Sequence, residues 1–147
     1  MSDRVATRSG TTLTIRTPAD YLFYRDVCSY GYFLLAPNRW DPASRTLTRI
    51  LEVQSDGNWL PIRAVLDQPT QEVGPVVRVR CDQRLERKGI QTLCTQIRRM
   101  LNLDDEGVKA FHRLDPRWKR SGRARLFRSP TLFEDVIKTV TSCNVAW

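Results

Sequence analysis

A chain of 147 residues can bury a continuous hydrophobic core as one domain, without disulfides or metal to hold it. Its 41% hydrophobic and 27% charged residues point away from wholesale disorder, and no apolar run reaches the length that spans a bilayer. A formal net charge of +8 makes a polyanion the first partner to expect.

That charge is unevenly placed. Residues 1–82 carry 10 Lys or Arg against 9 Asp or Glu, a net of +1, whereas residues 83–147 carry 14 against 7, a net of +7. Twenty of the 24 basic residues are Arg, which fits either phosphate recognition by the planar guanidinium or a GC-rich coding sequence. The first thirty residues include Asp3, Arg4, Arg8, Arg16 and Asp20 where a secretory signal needs an apolar stretch, so a cytoplasmic location is expected. Cys28, Cys81, Cys94 and Cys143 form no C-x-x-C pair; they read as reduced, mostly buried thiols, with no metal site and no cofactor expected.

In chain order, TTLTIRT at 11–17 alternates, with Leu13 and Ile15 on one face, as in a half-buried strand. Asp20 to Tyr30 has helical spacing, with Asp20 as its N-cap and Gly31 as its end. YFLLA at 32–36 leads into the turn-rich PNRWDPAS. RTLTRILEV at 45–53 then alternates again, setting Leu47, Arg49, Leu51 and Val53 opposite Thr48, Ile50 and Glu52. SDGN at 55–58 reads as a hairpin turn, WLPIRAVL continues the sheet, and PVVRVRC at 75–81 offers Val77 and Val79 to one face.

From Leu85 to Leu103 the period lengthens, and Leu85, Ile90, Leu93, Ile97, Met100 and Leu101 mark an amphipathic helix. DDEGVKAFHRLD at 104–115 predicts a shorter helix that offers Val108, Phe111 and Leu114 to a core. Ser129 and Pro130 suit an N-cap and first turn for a last helix with an apolar face of Leu132, Phe133, Val136, Ile137, Val140 and Cys143. The expected fold class is α+β: an antiparallel sheet subdomain with one short helix over 1–82, and a helical segment over 83–147.

Few side chains suggest reaction chemistry. His112 is the sole histidine, no acyl-transfer or glycine-rich phosphate motif is present, and the acidic residues Asp104, Asp105, Glu106, Glu134 and Asp135 suit helix starts. Lys138 lies four residues after Glu134, the spacing of a helical ion pair. By contrast, RLDPRWKRSGRARLFR at 113–128 holds seven cations opposed only by Asp115 and leads to a helix N-terminus. Such a segment suits phosphate binding, or equally a solvated loop with structural ion pairs.

GRARLFRSPTLFEDVIKTVTSCNVAW, residues 122–147, resembles a segment of the 8-oxoguanine and 3-methyladenine DNA glycosylases of the helix-hairpin-helix superfamily, with Ser129, Pro130, Glu134 and the Ser142-Cys143-Asn144 run carrying the match. TLTIRTPADYLFYRD and GYFLLAPNRWD look like the first domain of the family's bacterial members, and Gly31, Phe33 and Trp40 loosely echo its Gly-Gln-x-Phe-Arg-Trp element. The resemblance implies an antiparallel sheet ahead of a helical domain, double-stranded DNA as partner, no membrane association, and base flipping. DNA contacts are expected from Lys119, Arg120, Arg123, Arg125 and Arg128 of the basic segment, and the resemblance implies Asn144 as the wedge that fills the vacated stack, with Ser142 and Cys143 beside it near the pocket mouth.

Family members continue well past the equivalent of Trp147, through the hairpin that grips DNA to the aspartate and, in some, a lysine nucleophile. No residue here matches those positions. The resemblance therefore implies the N-terminal part of a glycosylase, inactive alone, located with the bacterial nucleoid. Two alternatives stay open: a stand-alone nucleic-acid-binding protein without enzymatic activity, and a subunit completed by a separate helical partner.

Overall fold

Alternation of apolar and polar residues builds one five-stranded antiparallel sheet in the order β1-β5-β4-β3-β2. The computed structural model describes residues 10–69, 76–104, 106–121 and 123–143. Its elements are β1 (Thr12–Arg16), α1 (Phe23–Val27), a 3₁₀ turn (Gly31–Leu34), β2 (Asn38–Asp41), β3 (Thr46–Ser55), β4 (Asn58–Asp67) and β5 (Val76–Cys81). There follow α2 (Arg87–Met100), α3 (Glu106–Leu114), α4 (Pro116–Ser121) and α5 (Leu132–Ser142). The fold class is α+β, and no helix of the described residues is long and apolar enough to cross a membrane.

Register explains the core. Leu13, Val79, Leu66, Leu47 and Trp40 stand opposite one another across all five strands, so one face of the sheet carries a continuous apolar row. Ile15, Val77, Ile62, Ala64, Leu51 and Val53 extend that face and are buried. The opposite face is mixed: Ile50 and Trp59 are exposed there, and Arg78 and Arg80 both pair with Asp67, at 2.8 and 3.0 Å. Between β3 and β4, Asp56 and Gly57 take φ of 49° and 80°, the left-handed pair that a two-residue hairpin requires.

The amphipathic helix α2 covers this face with Leu93, Ile97 and Met100, each with no exposed surface. Close approach depends on Gly89, where a Cβ would lie 3.1 Å from the Gln54 carbonyl oxygen on β3. Because β2 pairs only with residues 46–49 of β3, the rest of that strand is an edge, and Gln96 Nε2 on α2 donates to the Glu52 carbonyl there at 2.8 Å.

Several elements depart from the sequence reading. The helix expected from Asp20 to Tyr30 shrinks to α1, whose N-cap position is Leu22; Asp20 instead accepts from Arg125, and Gly31 opens the 3₁₀ turn. The turn-rich stretch after Pro37 contains β2, because Trp40 docks against Phe23 and Phe33 and brings its neighbours into register with β3. On α3 the buried stripe is Val108 and His112, whereas Phe111 and Leu114 are exposed. α4 falls within a segment read as a basic loop. Of the four thiols only Cys81 is buried, and burial, with Asp82 nearby, raises its pKa to about 11.

The last helix starts at Leu132, two residues beyond Pro130, and its N-cap is Thr131, which accepts from the Glu134 amide at 3.2 Å. Ser129 is fully buried instead, its amide donating to Asp135 Oδ1 at 2.8 Å. α5 docks through its polar side. Glu134 pairs with Arg49 of β3 at 2.5 Å and with Lys138 at 2.6 Å, Asp135 pairs with Arg99 of α2 at 2.6 Å, and Thr139 bonds the Tyr32 hydroxyl at 2.6 Å. Its apolar side, Leu132, Phe133, Val136, Ile137 and Val140, faces out.

Burial acts to raise the pKa of Glu134, but its contacts with Lys138 and Arg49 outweigh it and hold the carboxyl below its ordinary value of 4.5. A depressed carboxylate contributes stability that is complete above the unfolded-state value and lost as pH falls through the folded one. Docking of α5 should therefore be unchanged from neutrality down to pH 4.5 and weaken below it. Amide exchange across Leu132–Ser142 reads this directly. Glu134→Gln should loosen α5 already at neutral pH, at a cost of roughly 3 kcal/mol, because it leaves the buried Arg49 without a carboxylate. Unchanged protection in that variant would contradict the role given to the ion pair.

Candidate nucleic-acid interface

The cations of residues 113–128 do not act alike, because the chain turns between them. Ala124 has φ 92°, a conformation that a residue with a Cβ rarely adopts, and it separates an exposed Arg123 from a buried Arg125. Arg125 is 5% exposed; its Nη1 donates to the Asn102 carbonyl at 3.1 Å and its Nη2 meets Asp20 at 3.1 and 3.3 Å. It staples the return segment to the end of α2 and to the loop after β1. The expectation that Arg125 contacts DNA is corrected by this burial: its donors face protein.

Two more anchors hold the segment. His112 is buried, and its Nε2 lies 2.6 Å from the Arg123 carbonyl oxygen; since that oxygen can only accept, Nε2 carries the proton. Phe127 is buried, and its amide donates to Ser29 Oγ at 3.1 Å. These contacts leave the Arg123 side chain outside while its backbone is fixed.

Lys119 is exposed on α4. Arg128 is half-buried, with its amide on the Met100 carbonyl, and it shares a small cleft with Arg98, Arg99 and Asn102. Within that cleft Arg98 is committed to Asp104, whose carboxyl it holds below its ordinary range, and Arg99 to Asp135. Ser142 bonds back to the Thr139 carbonyl at 3.1 Å, so its hydroxyl serves the helix end. The Arg120 side chain and Asn144 lie outside the described residues. Arg117 is 80% exposed but folds back onto Asp115 at 2.8 Å.

Among the described residues, Lys119 and Arg123 are thus the exposed cations of the expected set, and Lys119 lies beside a cleft that the sequence did not announce. Lys109, His112 and Arg113 follow one another at i, i+3 and i+4 on one face of α3, and line a cleft together with Pro116 and Lys119 of α4 and with Pro18, Ala19, Asp20, Leu103 and Arg125. The spacing on α3 was readable; that the loop after β1 forms the opposite wall was not. Among the described residues no group of three or more His, Cys, Asp or Glu side chains is arranged to hold a metal ion.

The two arginines on either side of Ala124 make opposite predictions. Arg125→Ala should lower unfolding free energy by about 1–3 kcal/mol, since the Asn102 carbonyl and Asp20 lose charge-assisted bonds. Arg123→Ala should leave it within about 0.5 kcal/mol. Denaturant titration of both variants checks this, and equal effects would contradict the assignment of one arginine to the interior and one to the surface.

No family model, no curated protein and no solved structure matches this chain.

Proposed function

We propose that the chain is the N-terminal part of a helix-hairpin-helix DNA glycosylase, and that it binds duplex DNA around a damaged base in a bacterial cytoplasm. The observation that carries this reading is the orientation of α5. A helix in the segment that resembles the glycosylases turns its charged side to the sheet body and leaves Phe133 75%, Leu132 69% and Val140 65% exposed. Covering such side chains is worth about 1.5–3 kcal/mol each, so the face suits packing against further helices of a domain that this sheet supports.

Lys119 and Arg123 supply the phosphate contacts in this reading, while Arg125 positions Arg123 from inside. Their role is to hold the duplex backbone; the resemblance brings no catalytic residue to any position here, so base release is assigned to the helices that would cover α5. A damaged or abasic site lowers the cost of unstacking and gives the complex its preference.

Fluorescence anisotropy with undamaged and abasic-site duplexes tests the proposal. Affinity should fall steeply between about 50 and 200 mM salt through counterion release, and should be higher for the abasic duplex. Lys119→Ala with Arg123→Ala should reduce the log–log salt slope by about 2, one for each lost phosphate contact. No duplex binding, equal affinity for both duplexes, or an unchanged slope in the double variant would each contradict it.

A further inference from the structure

The cleft between α3, α4 and the loop after β1 has features that gripping a duplex does not require. It is a concavity of about 670 Å³, in the size range of small-molecule sites. Its floor is Arg125, a buried guanidinium whose contacts to Asp20, at 3.1 and 3.3 Å, are longer than the 2.7–2.9 Å typical of a fully engaged N–H to carboxylate bond. Among the described residues, Asp20 is the only carboxylate in the lining.

On the rim, Lys109 is paired with Glu106 at 2.5 Å, but Arg113 and Lys119 have no carboxylate partner among the described residues. The cleft therefore keeps uncompensated positive charge at its mouth and a partly compensated cation at its base. The remaining walls are Pro18, Ala19, Leu103 and Pro116, which are apolar and, in the two prolines, rigid. His112 also lines the cleft, and with Nε2 donating to the Arg123 carbonyl its Nδ1 is an acceptor, so the imidazole makes no bond to the phosphate.

Cationic rim, charged floor and apolar walls describe a receptor for an organic anion with a compact charged end and a flat body. We propose that this cleft binds a small phosphate monoester of nucleotide size, its phosphate held by Arg113 and Lys119 and its body against Pro18, Leu103 and Pro116. A planar guanidinium and a flexible ammonium on adjacent helices meet a tetrahedral dianion with two or three charge-assisted bonds. The same phosphate chemistry is offered by a free nucleotide or by the terminal phosphate of a DNA strand, and the probes separate them.

The inference does not rest on glycosylase activity or on duplex binding, and it is tested without either. Isothermal titration of the full chain is run with deoxycytidine monophosphate, inorganic phosphate, deoxycytidine, and a single strand with and without a 5′-phosphate. Saturable binding of deoxycytidine monophosphate, weaker binding of inorganic phosphate and none of deoxycytidine are expected. A 5′-phosphorylated strand that outcompetes the nucleotide identifies a strand end as the source; one that does not identifies the free nucleotide.

Arg113→Ala with Lys119→Ala should weaken nucleotide binding by about tenfold or more, as expected on losing charge-assisted bonds. Ala19→Trp, at an exposed position of the lining, should abolish it by filling the cleft. The paired change Arg87→Ala and Lys88→Ala on the first turn of α2 removes the same charge outside the lining and should leave it unchanged. Thermal unfolding of each variant like that of the parent chain confirms that the cleft alone has changed. No saturable nucleotide binding, undiminished binding after Ala19→Trp, or equal weakening by the α2 control would overturn the proposal.

Discussion

Arg49 stands on the buried face of a strand, between Leu47 and Leu51 and opposite Ala64, with 3% of its surface exposed. A guanidinium cannot lose its proton to escape burial, so the fold must answer its charge with another. Asn38 accepts from Nη1 at 2.8 Å and Glu134 from Nη2 at 2.5 Å. The first partner is on β2 and the second is on α5, a helix that the chain reaches only after 85 further residues. That one requirement selects which side of α5 faces the sheet, and the rest of the helix follows. Asp135 falls beside Arg99, Thr139 beside Tyr32, and Lys138 is buried beside Glu134 with its ammonium 5.5 Å from the Tyr32 ring.

Once the polar side is committed inward, the apolar side has nowhere to go but out. The chain thus presents a hydrophobic surface on a helix that is held by ion pairs, an inversion of the usual amphipathic arrangement. The basic return segment that leads into α5 is disciplined by the same logic of inside and outside. Arg125 is drawn in to meet Asp20, Ala124 takes a strained backbone to allow it, and Arg123 is left outside with its carbonyl on His112. The cleft that results is charged because Arg113 and Lys119 on its rim have no carboxylate partner among the described residues.

Much of the sheet was legible because alternation has a single physical reading. Leu47, Arg49, Leu51 and Val53 were expected on one face and lie there, and Asp56-Gly57 makes the turn that its composition demands. Even the odd member, Arg49, was placed correctly by period alone; what the period does not state is that its burial would recruit Glu134. The helix over Leu93, Ile97 and Met100 was legible for the same reason. Local patterns failed where long-range contacts decided. Trp40 makes a strand of a turn-rich segment by packing on Phe23 and Phe33, and Asp20 abandons a helix cap for Arg125, 105 residues away. The wall of the cleft opposite α3 has no sequence signature, since its residues converge only through the fold.

The central claim is that α5 is docked by its charged side with its apolar side open. Hydroxyl-radical footprinting, at a concentration where sedimentation shows the chain to be monomeric, compares aromatic side chains within one molecule and needs no substitution. The account predicts that Phe133 is oxidised at a rate close to that of the unfolded chain, while Phe23 and Phe127, at 1% and 2% exposure, are protected. Phe133 protected to the same degree as Phe127 in the monomer would contradict it, for the helix would then face the sheet with its apolar side and Arg49 would lack the partner that the fold provides.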